Sequence, residues 1–196
     1  MRQIKNLFFA TAVLAAGSSA TADPVCDDLW FSRNFYFDRA GYCFGSVLGE
    51  EVFNNYGCTT QAPELTAEEK AIVKEIQNIE SDVGCKLDTT ERRPLDIPNL
   101  PLRRTLLDQP INEGFESGCI GYIGEPLPLR AGIAQDAPIV GYIQAGDHLN
   151  FSHVPPIGAT GNLDYITAVY RDGALQPLLG WTSIEFSEKT CEGLAG

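Results

Sequence analysis

The fold of this chain is decided by the stretch CDDLWFSRNFYFDRAGYCF, residues 26–44. It places a large aromatic content between two cysteines. Asp27 or Asp28 can cap a helix, because a short carboxylate accepts hydrogen bonds from the free amides of a first turn. Gly41 stands where a left-handed residue commonly ends a helix. Since the apolar residues cover more than one face, the stretch predicts a helix that is contacted on several sides.

This segment resembles the extracellular YARHG domain of secreted bacterial proteins. The five-letter signature of that family falls on residues 37–41, FDRAG, where the arginine and glycine are kept and phenylalanine replaces tyrosine. The resemblance covers residues 26–85 and implies a small helical extracellular domain without an established activity. Taken together with the second half of the chain, the segment resembles an uncharacterised secreted bacterial family. The matching residues are Leu29, Arg33, Asn34, Arg39, Gly41, Tyr42 and Phe44.

Two arginines of this segment, Arg33 and Arg39, are candidate ligand-binding residues. One interpretation is contact with an anion or with the cell wall. The other is pairing with Asp27, Asp28 or Asp38, because aromatic-rich helices often hold arginine by stacking and ion pairs. Both interpretations stay open at the level of the sequence.

A second helix is predicted after residue 66. Thr66 and Glu69 have the spacing of a capping box. Ile72, Ile76 and Ile79 form a one-sided apolar stripe with helical spacing. The helix should end near residues 81–83.

Six cysteines in an exported chain predict disulfide bonds. A helix over residues 27–40 would be about 20 Å long, whereas a disulfide needs its α-carbons within about 7 Å. Cys26 and Cys43 therefore should not pair with each other. If the two helices pack antiparallel, the first cysteine pairs with the fourth and the second pairs with the third. The last two cysteines would join the first strand of the second half to the end of the chain. The predicted disulfides are Cys26–Cys85, Cys43–Cys58 and Cys119–Cys191.

Residues 1–22 have the composition of a signal peptide. Arg2 and Lys5 precede an apolar run at residues 7–16, and residues 20–22, ATA, form a small-residue cleavage site. The apolar run is too short to span a membrane, and no later segment is suitable, so no membrane span is predicted. The protein is therefore expected to be periplasmic or secreted.

The chain is strongly acidic, with a formal net charge of −12 at pH 7. Such a field repels nucleic acid and anionic lipid surfaces, so nucleic acid is not expected as a partner. A negative field can steer a cationic partner, or it can serve only solubility.

Residues 87–112 are predicted to be a proline-rich linker, because the residue before each proline is pushed toward extended structure. Two basic doublets, Arg92-Arg93 and Arg103-Arg104, stand out in this acidic chain. They are open to two interpretations. They would contact an anionic wall polymer or a partner, or they would pair with the acidic surface as the linker wraps along a domain.

From residue 113 onward, short β-type runs and turns predict a small barrel. The order of features resembles a bacterial SH3-like domain over residues 118–191, with motifs at residues 127–132, 140–147 and 180–181. The chain departs from that family by lacking a mid-domain tryptophan and by an insertion at residues 154–162. The predicted fold class is therefore α+β, a small disulfide-linked helical domain at residues 23–86 followed by an SH3-like β-barrel at residues 113–196.

Four aromatic residues of the second half are candidates for lining a shallow ligand groove. The alternative is that the tryptophan and alternate tyrosines fill the core. The four residues are Tyr142, Tyr165, Tyr170 and Trp181.

No pattern in the sequence indicates catalysis, a metal site or a cofactor. His148 and His153 lack the spacing of three or four that suits a metal pair on a helix. No C-x-x-C spacing occurs, and the even number of cysteines predicts that all are paired. We therefore expect a noncatalytic binding module that contacts peptidoglycan or an envelope protein. The alternatives are an acidic inhibitor of a basic cell-wall hydrolase and an enzyme acting on envelope polymers.

Overall fold

The computed structural model describes residues 23–156, 165–184 and 186–196. The predicted signal peptide at residues 1–22 and most of the predicted insertion lie outside these ranges. The chain is a mixed helix-and-sheet protein. Its elements are α1 Pro24–Arg39, α2 Val47–Phe53, α3 Ala67–Asp82, α4 Leu100–Arg103, β1 Ile111–Tyr122, β2 Leu127–Arg130, β3 Ile139–Ile143, β4 His148–Val154, β5 Tyr165–Tyr170, β6 Leu178–Thr182 and β7 Cys191–Ala195.

Helix α1 begins earlier than the sequence predicts. Asp23 is its N-cap, and the Asp23 side chain accepts hydrogen bonds from the amides of Val25 and Cys26. The predicted capping role of Asp27 and Asp28 is wrong, because both lie inside the helix and are almost fully buried. Their carboxylates are instead bound by arginines from later in the chain.

An aromatic core surrounds α1 and α2. The Phe31 ring stacks on Phe53 at a centroid distance of 5.6 Å, and Phe53 stacks on Phe44 at 4.6 Å. Leu95 and Ile97, from the segment of residues 87–110 that connects α3 to β1, are buried in the same core. The connecting segment therefore contributes to the packing of the helices.

Helix α3 packs against the opposite side of α1. The predicted capping box is present, with the Thr66 hydroxyl accepting from the Glu69 amide and the Glu69 carboxylate accepting from the Thr66 amide. The apolar stripe of α3 is buried against α1 together with Ile111, the first residue of β1. One core thus joins α1, α3 and the start of the sheet.

Three disulfides link the chain, and their pairs are those that the sequence predicts. The α-carbon distances are 5.4 Å for Cys26–Cys85, 5.0 Å for Cys43–Cys58 and 5.4 Å for Cys119–Cys191. The first joins the start of α1 to the residues just after α3, as expected for antiparallel helices. No cysteine is left free.

All seven strands form one antiparallel sheet in the order β3-β2-β6-β5-β4-β1-β7. Within the described ranges, the edge strands β3 and β7 do not pair, so the sheet is not closed into a barrel and the SH3-like barrel is not confirmed. The last strand, β7, pairs along β1 from Gly118 to Tyr122. No helix in the described part of the chain is long and apolar enough to cross a membrane.

Candidate functional site

A buried polar cluster joins the helices to the sheet. Its centre is Asp28 on α1, which is only 1% exposed. The Arg103 guanidinium donates to both carboxylate oxygens of Asp28, at 2.8 and 3.1 Å. The Nε2 atom of His153, on β4, lies 2.6 Å from the same carboxylate. We call Asp28, Ser32, Arg103, Gln109 and His153 the Asp28 cluster.

The remaining donors of Arg103 are also bound within the cluster. Its Nη2 atom donates to the Ser32 hydroxyl at 2.8 Å, and its Nε atom donates to the side-chain oxygen Oε1 of Gln109 at 3.1 Å. Burial by itself would raise the pKa of Asp28, but the Arg103 charge and the hydrogen bonds from His153 and Arg103 hold that pKa well below its usual range. Asp28 is therefore ionised at neutral pH, and its charge is balanced inside the protein.

A cleft of about 260 Å³ opens beside this cluster, between the connecting segment and the sheet. We call it the Tyr170 cleft. A more open groove of about 530 Å³ runs over β1, β4 and β7 and shares Glu116, Asn150 and Tyr170 with the cleft. The polar and aromatic residues lining the cleft are Asn99, Arg103, Glu116, Asn150, His153 and Tyr170.

The groups lining the Tyr170 cleft fall into two kinds. Arg103 and His153 are bound to Asp28, as described above. The side chains of Glu116 and Asn150 have no hydrogen-bond or ion-pair partner among the residues that the structure describes. Tyr170 is 45% exposed, and its hydroxyl lies 3.5 Å from the Asn99 amide nitrogen. The cleft therefore presents one unpaired carboxylate, one unpaired amide and one exposed aromatic ring.

The four aromatic candidates from the sequence lie in different environments. Tyr170 lines both the cleft and the groove. Trp181 is fully buried, and its indole donates to the Asp108 carbonyl at 3.1 Å, which corresponds to the core alternative. Tyr142 is 47% exposed on β3 and does not line these two hollows. The backbone of Tyr165 pairs with Thr182, but its side chain lies outside the described part of the structure.

The two arginine candidates of α1 are held by the protein itself. The Arg33 guanidinium lies 2.9 Å from Glu80 of α3, not beside Asp27, Asp28 or Asp38. Arg39 donates to the carbonyls of Leu106 and Leu107, at 2.6 Å each. Its guanidinium also lies 4.2 Å from the centre of the Phe35 ring.

Every arginine in the described part of the chain contacts a carboxylate or a carbonyl of the protein. The basic doublets of the connecting segment follow this pattern: Arg92 pairs with an exposed carboxylate, whereas Arg93 and Arg103 pair with the buried carboxylates of α1. On the described surface, many carboxylates have no arginine partner. The only cationic side chains there that are not bound within the protein are lysines. The remaining contacts are Arg92 with Glu51, Arg93 with Asp27, Arg104 with the Val52 carbonyl, Arg130 with the Ala137 carbonyl and Arg171 with Asp147.

The cysteines and histidines, which could act as nucleophiles, general bases or metal ligands, have structural roles in the described residues. All six cysteines are in disulfides. The Nδ1 atom of His148 accepts from the Gly121 amide at 3.2 Å, and His153 belongs to the Asp28 cluster. No group of three or more metal-ligating side chains comes together within those residues.

The geometry defines a disulfide-linked mixed helix-and-sheet protein with a cleft between the connecting segment and the sheet. Comparison with family models assigns each half. The YARHG domain matches residues 7–81, and the domain of unknown function DUF4453 matches residues 84–196, more than half of the chain. The chain therefore belongs to the DUF4453 family and carries a YARHG domain before that region. In the same comparisons, no curated protein and no solved structure matches the chain.

The family assignment also bears on the sequence predictions. The predicted YARHG domain is confirmed, whereas the second half is a DUF4453 domain and is not shown to be SH3-like. Together with the three disulfides, the YARHG domain suggests an extracellular or periplasmic location.

The sequence analysis missed Glu116, Asn150 and the Asp28 cluster. Asp28, Arg103 and His153 were each noted in the sequence, but they lie on α1, the connecting segment and β4, and no local pattern brings them together. The one available signal was the placement of Arg103 in a segment rich in prolines and apolar residues, where a cation needs a buried partner. Nothing in the sequence indicated that Asp28 is that partner.

Proposed function

We propose that this protein is a noncatalytic binding module of the periplasm or the extracellular space, and that its sheet half contacts peptidoglycan or an envelope protein. The observation that carries the proposal is the Tyr170 cleft. Most other polar groups near the junction are bound within the protein, whereas Tyr170, Glu116 and Asn150 are accessible. A concave site with a few convergent polar groups is the usual form of a ligand site.

The state of the reactive side chains supports a noncatalytic role. The cysteines are oxidised in pairs, and His153 is held between Asp28 and Arg103. A general base or nucleophile needs a free lone pair beside the substrate. These residues instead serve the fold.

Cosedimentation with purified peptidoglycan sacculi across a salt series tests the proposal. We expect the oxidised mature protein to bind in a salt-resistant manner, and Tyr170→Ala to weaken binding. Tyr142→Ala tests whether the second exposed tyrosine of the sheet half belongs to the same surface. Tyr56→Ala is the matched control, because Tyr56 is 96% exposed in the helical half. Absence of wild-type binding at every salt concentration would refute the wall ligand, and equal binding of all variants would refute this surface.

A second candidate function is inhibition of a basic cell-wall hydrolase. It is favoured by the engagement of every described arginine, which leaves the acidic groups of a chain with net charge −12 largely uncompensated. Opposite charge accelerates association and makes it sensitive to salt. The expected result is inhibition of a lysozyme-type enzyme at low salt that weakens as salt is added. No inhibition at low salt would remove this target class.

A further inference from the structure

We propose that the Tyr170 cleft binds a peptide through a primary ammonium group, with the Glu116 carboxylate as the counter-ion. Asn150 and Tyr170 orient the bound amine. This inference rests on the proposed binding function and names the chemistry of its ligand.

The first step is the charge of the cleft. Arg103 faces it, but both carboxylate oxygens of Asp28 accept hydrogen bonds from that guanidinium. A ligand anion would have to compete with this buried pair, and it would also meet the charge of Glu116. The Glu116 carboxylate is exposed and has no partner among the described residues. The local field therefore favours a cation.

The second step is the distinction between a general cation and an ammonium group. A primary ammonium has three donors and a compact charge. The Glu116 carboxylate and the Asn150 carbonyl can each accept one hydrogen bond. The Tyr170 ring lines the same space and can contact the cation through its face. This combination of two oxygen acceptors and one aromatic ring suits an amine well.

The third step is size. Sites for small molecules commonly occupy about 300–1,000 Å³. The cleft, at about 260 Å³, suits the end of one side chain. The adjoining groove, at about 530 Å³, shares Glu116, Asn150 and Tyr170 with the cleft and runs to the C-terminal strand. The two hollows together suit an amine-bearing side chain that enters the cleft while the peptide to which it belongs lies in the groove.

The test uses the oxidised mature protein and the peptide acetyl-Ala-Lys-Ala-amide, with the Nε-acetylated peptide as the matched ligand. Binding is followed by calorimetry or by chemical-shift changes at low and high salt. We expect acetylation of the lysine amine, or Glu116→Gln, to weaken binding by at least about tenfold, because either change removes a charge-assisted hydrogen bond. The control Glu125→Gln, an exposed acid away from the cleft, should leave affinity within about twofold.

Two results would overturn the inference. One is equal affinity for the free and acetylated peptides, and the other is undiminished binding by Glu116→Gln. Absence of peptide binding at about 10 mM would also refute it. Sacculus cosedimentation of Glu116→Gln separates this inference from the proposed function. If Glu116→Gln sediments with sacculi as the wild type does, the binding function stands and the ammonium site falls; if the wild type does not sediment, the wall ligand falls and the peptide titration still decides the ammonium site.

Discussion

The helical half of the molecule buries its largest aromatic residues, whereas the sheet half exposes two of its tyrosines. Trp30 and Phe31 are 7% and 0% exposed, while Tyr142 and Tyr170 are 47% and 45% exposed. The arginines of both halves bind partners within the protein, whereas the exposed Glu116 of the sheet half, which lines the Tyr170 cleft, has none among the described residues. The sheet half also buries Trp181, so both halves have a core, and its exposed tyrosines are the basis of our proposal that this half carries recognition.

The Asp28 cluster is the point where the two halves depend on each other. Asp28 lies on α1, Arg103 at the end of α4 and His153 on β4. Arg103 and His153 also line the Tyr170 cleft. The stability of the junction and the shape of the cleft therefore rest on the same side chains.

The largest expected effect is that of Arg103→Met. The change leaves the Asp28 carboxylate buried without its ion pair, which typically costs about 3–5 kcal/mol of unfolding free energy. Urea unfolding measures it. The matched control is Arg92→Met, since the Arg92–Glu51 pair is exposed and such a pair contributes about 0–1 kcal/mol. Equal losses in both variants would show that the Asp28 cluster does not hold the halves together.

Removing one disulfide from each half should give two different losses of unfolding free energy. The difference between these losses is smaller than the effect of Arg103→Met. Loop-closure entropy predicts a loss of about 4 kcal/mol for the Cys119→Ala, Cys191→Ala double variant and about 3 kcal/mol for Cys43→Ala, Cys58→Ala. The difference arises because the sequence separations are 72 and 15 residues. Denaturant unfolding of both variants measures the two losses. A larger loss for the 43–58 pair would contradict the loop-closure explanation.

Acid should weaken the junction through Asp28. The folded-state pKa of Asp28 is depressed, so its contribution is fully present above the unfolded pKa of about 3.9 and is lost as pH falls through the folded value. The expected loss is on the order of 2 kcal/mol, measured by unfolding at a series of pH values. The charged and titratable groups facing Asp28 are Arg103 and His153.

Two variants isolate the titration of Asp28. Asp28→Asn should flatten the acid dependence, because the amide does not titrate. His153→Gln removes the imidazole contact with the Asp28 carboxylate. If the acid dependence of Asp28→Asn equals that of the wild type, the effect comes from elsewhere.

The smallest expected effect on stability is at Tyr170, on the surface for which we propose ligand binding. Tyr170→Ala should change the unfolding free energy by less than about 1 kcal/mol, because the residue is nearly half exposed. The matched control is Tyr122→Ala in the same half. Tyr122 is 3% exposed, and truncating a buried aromatic residue costs about 3 kcal/mol. Thermal unfolding of both variants makes the comparison, and a large loss for Tyr170→Ala would assign that residue to the core.

Local patterns predicted the parts of the fold that depend on near neighbours. The capping box at Thr66 and Glu69 and several of the strands are present near their predicted positions. The cap of α1 was misplaced, because Asp27 and Asp28 have the chemistry of a cap but are drawn into ion pairs with Arg93 and Arg103. Their partners come from the connecting segment, which the sequence presented as a linker.

The sequence by itself determined the two-part character of the chain, its acidity, the disulfide pairs and the YARHG resemblance. These follow from composition, cysteine spacing and the period of apolar residues, which are local properties. Only the tertiary structure decided that the sheet stays open, that Arg103 meets Asp28, and that Glu116, Asn150 and Tyr170 share one cleft. The reason is that such contacts join residues 20 to 75 positions apart. Their pairing depends on how whole elements pack, and that is not encoded in any short segment.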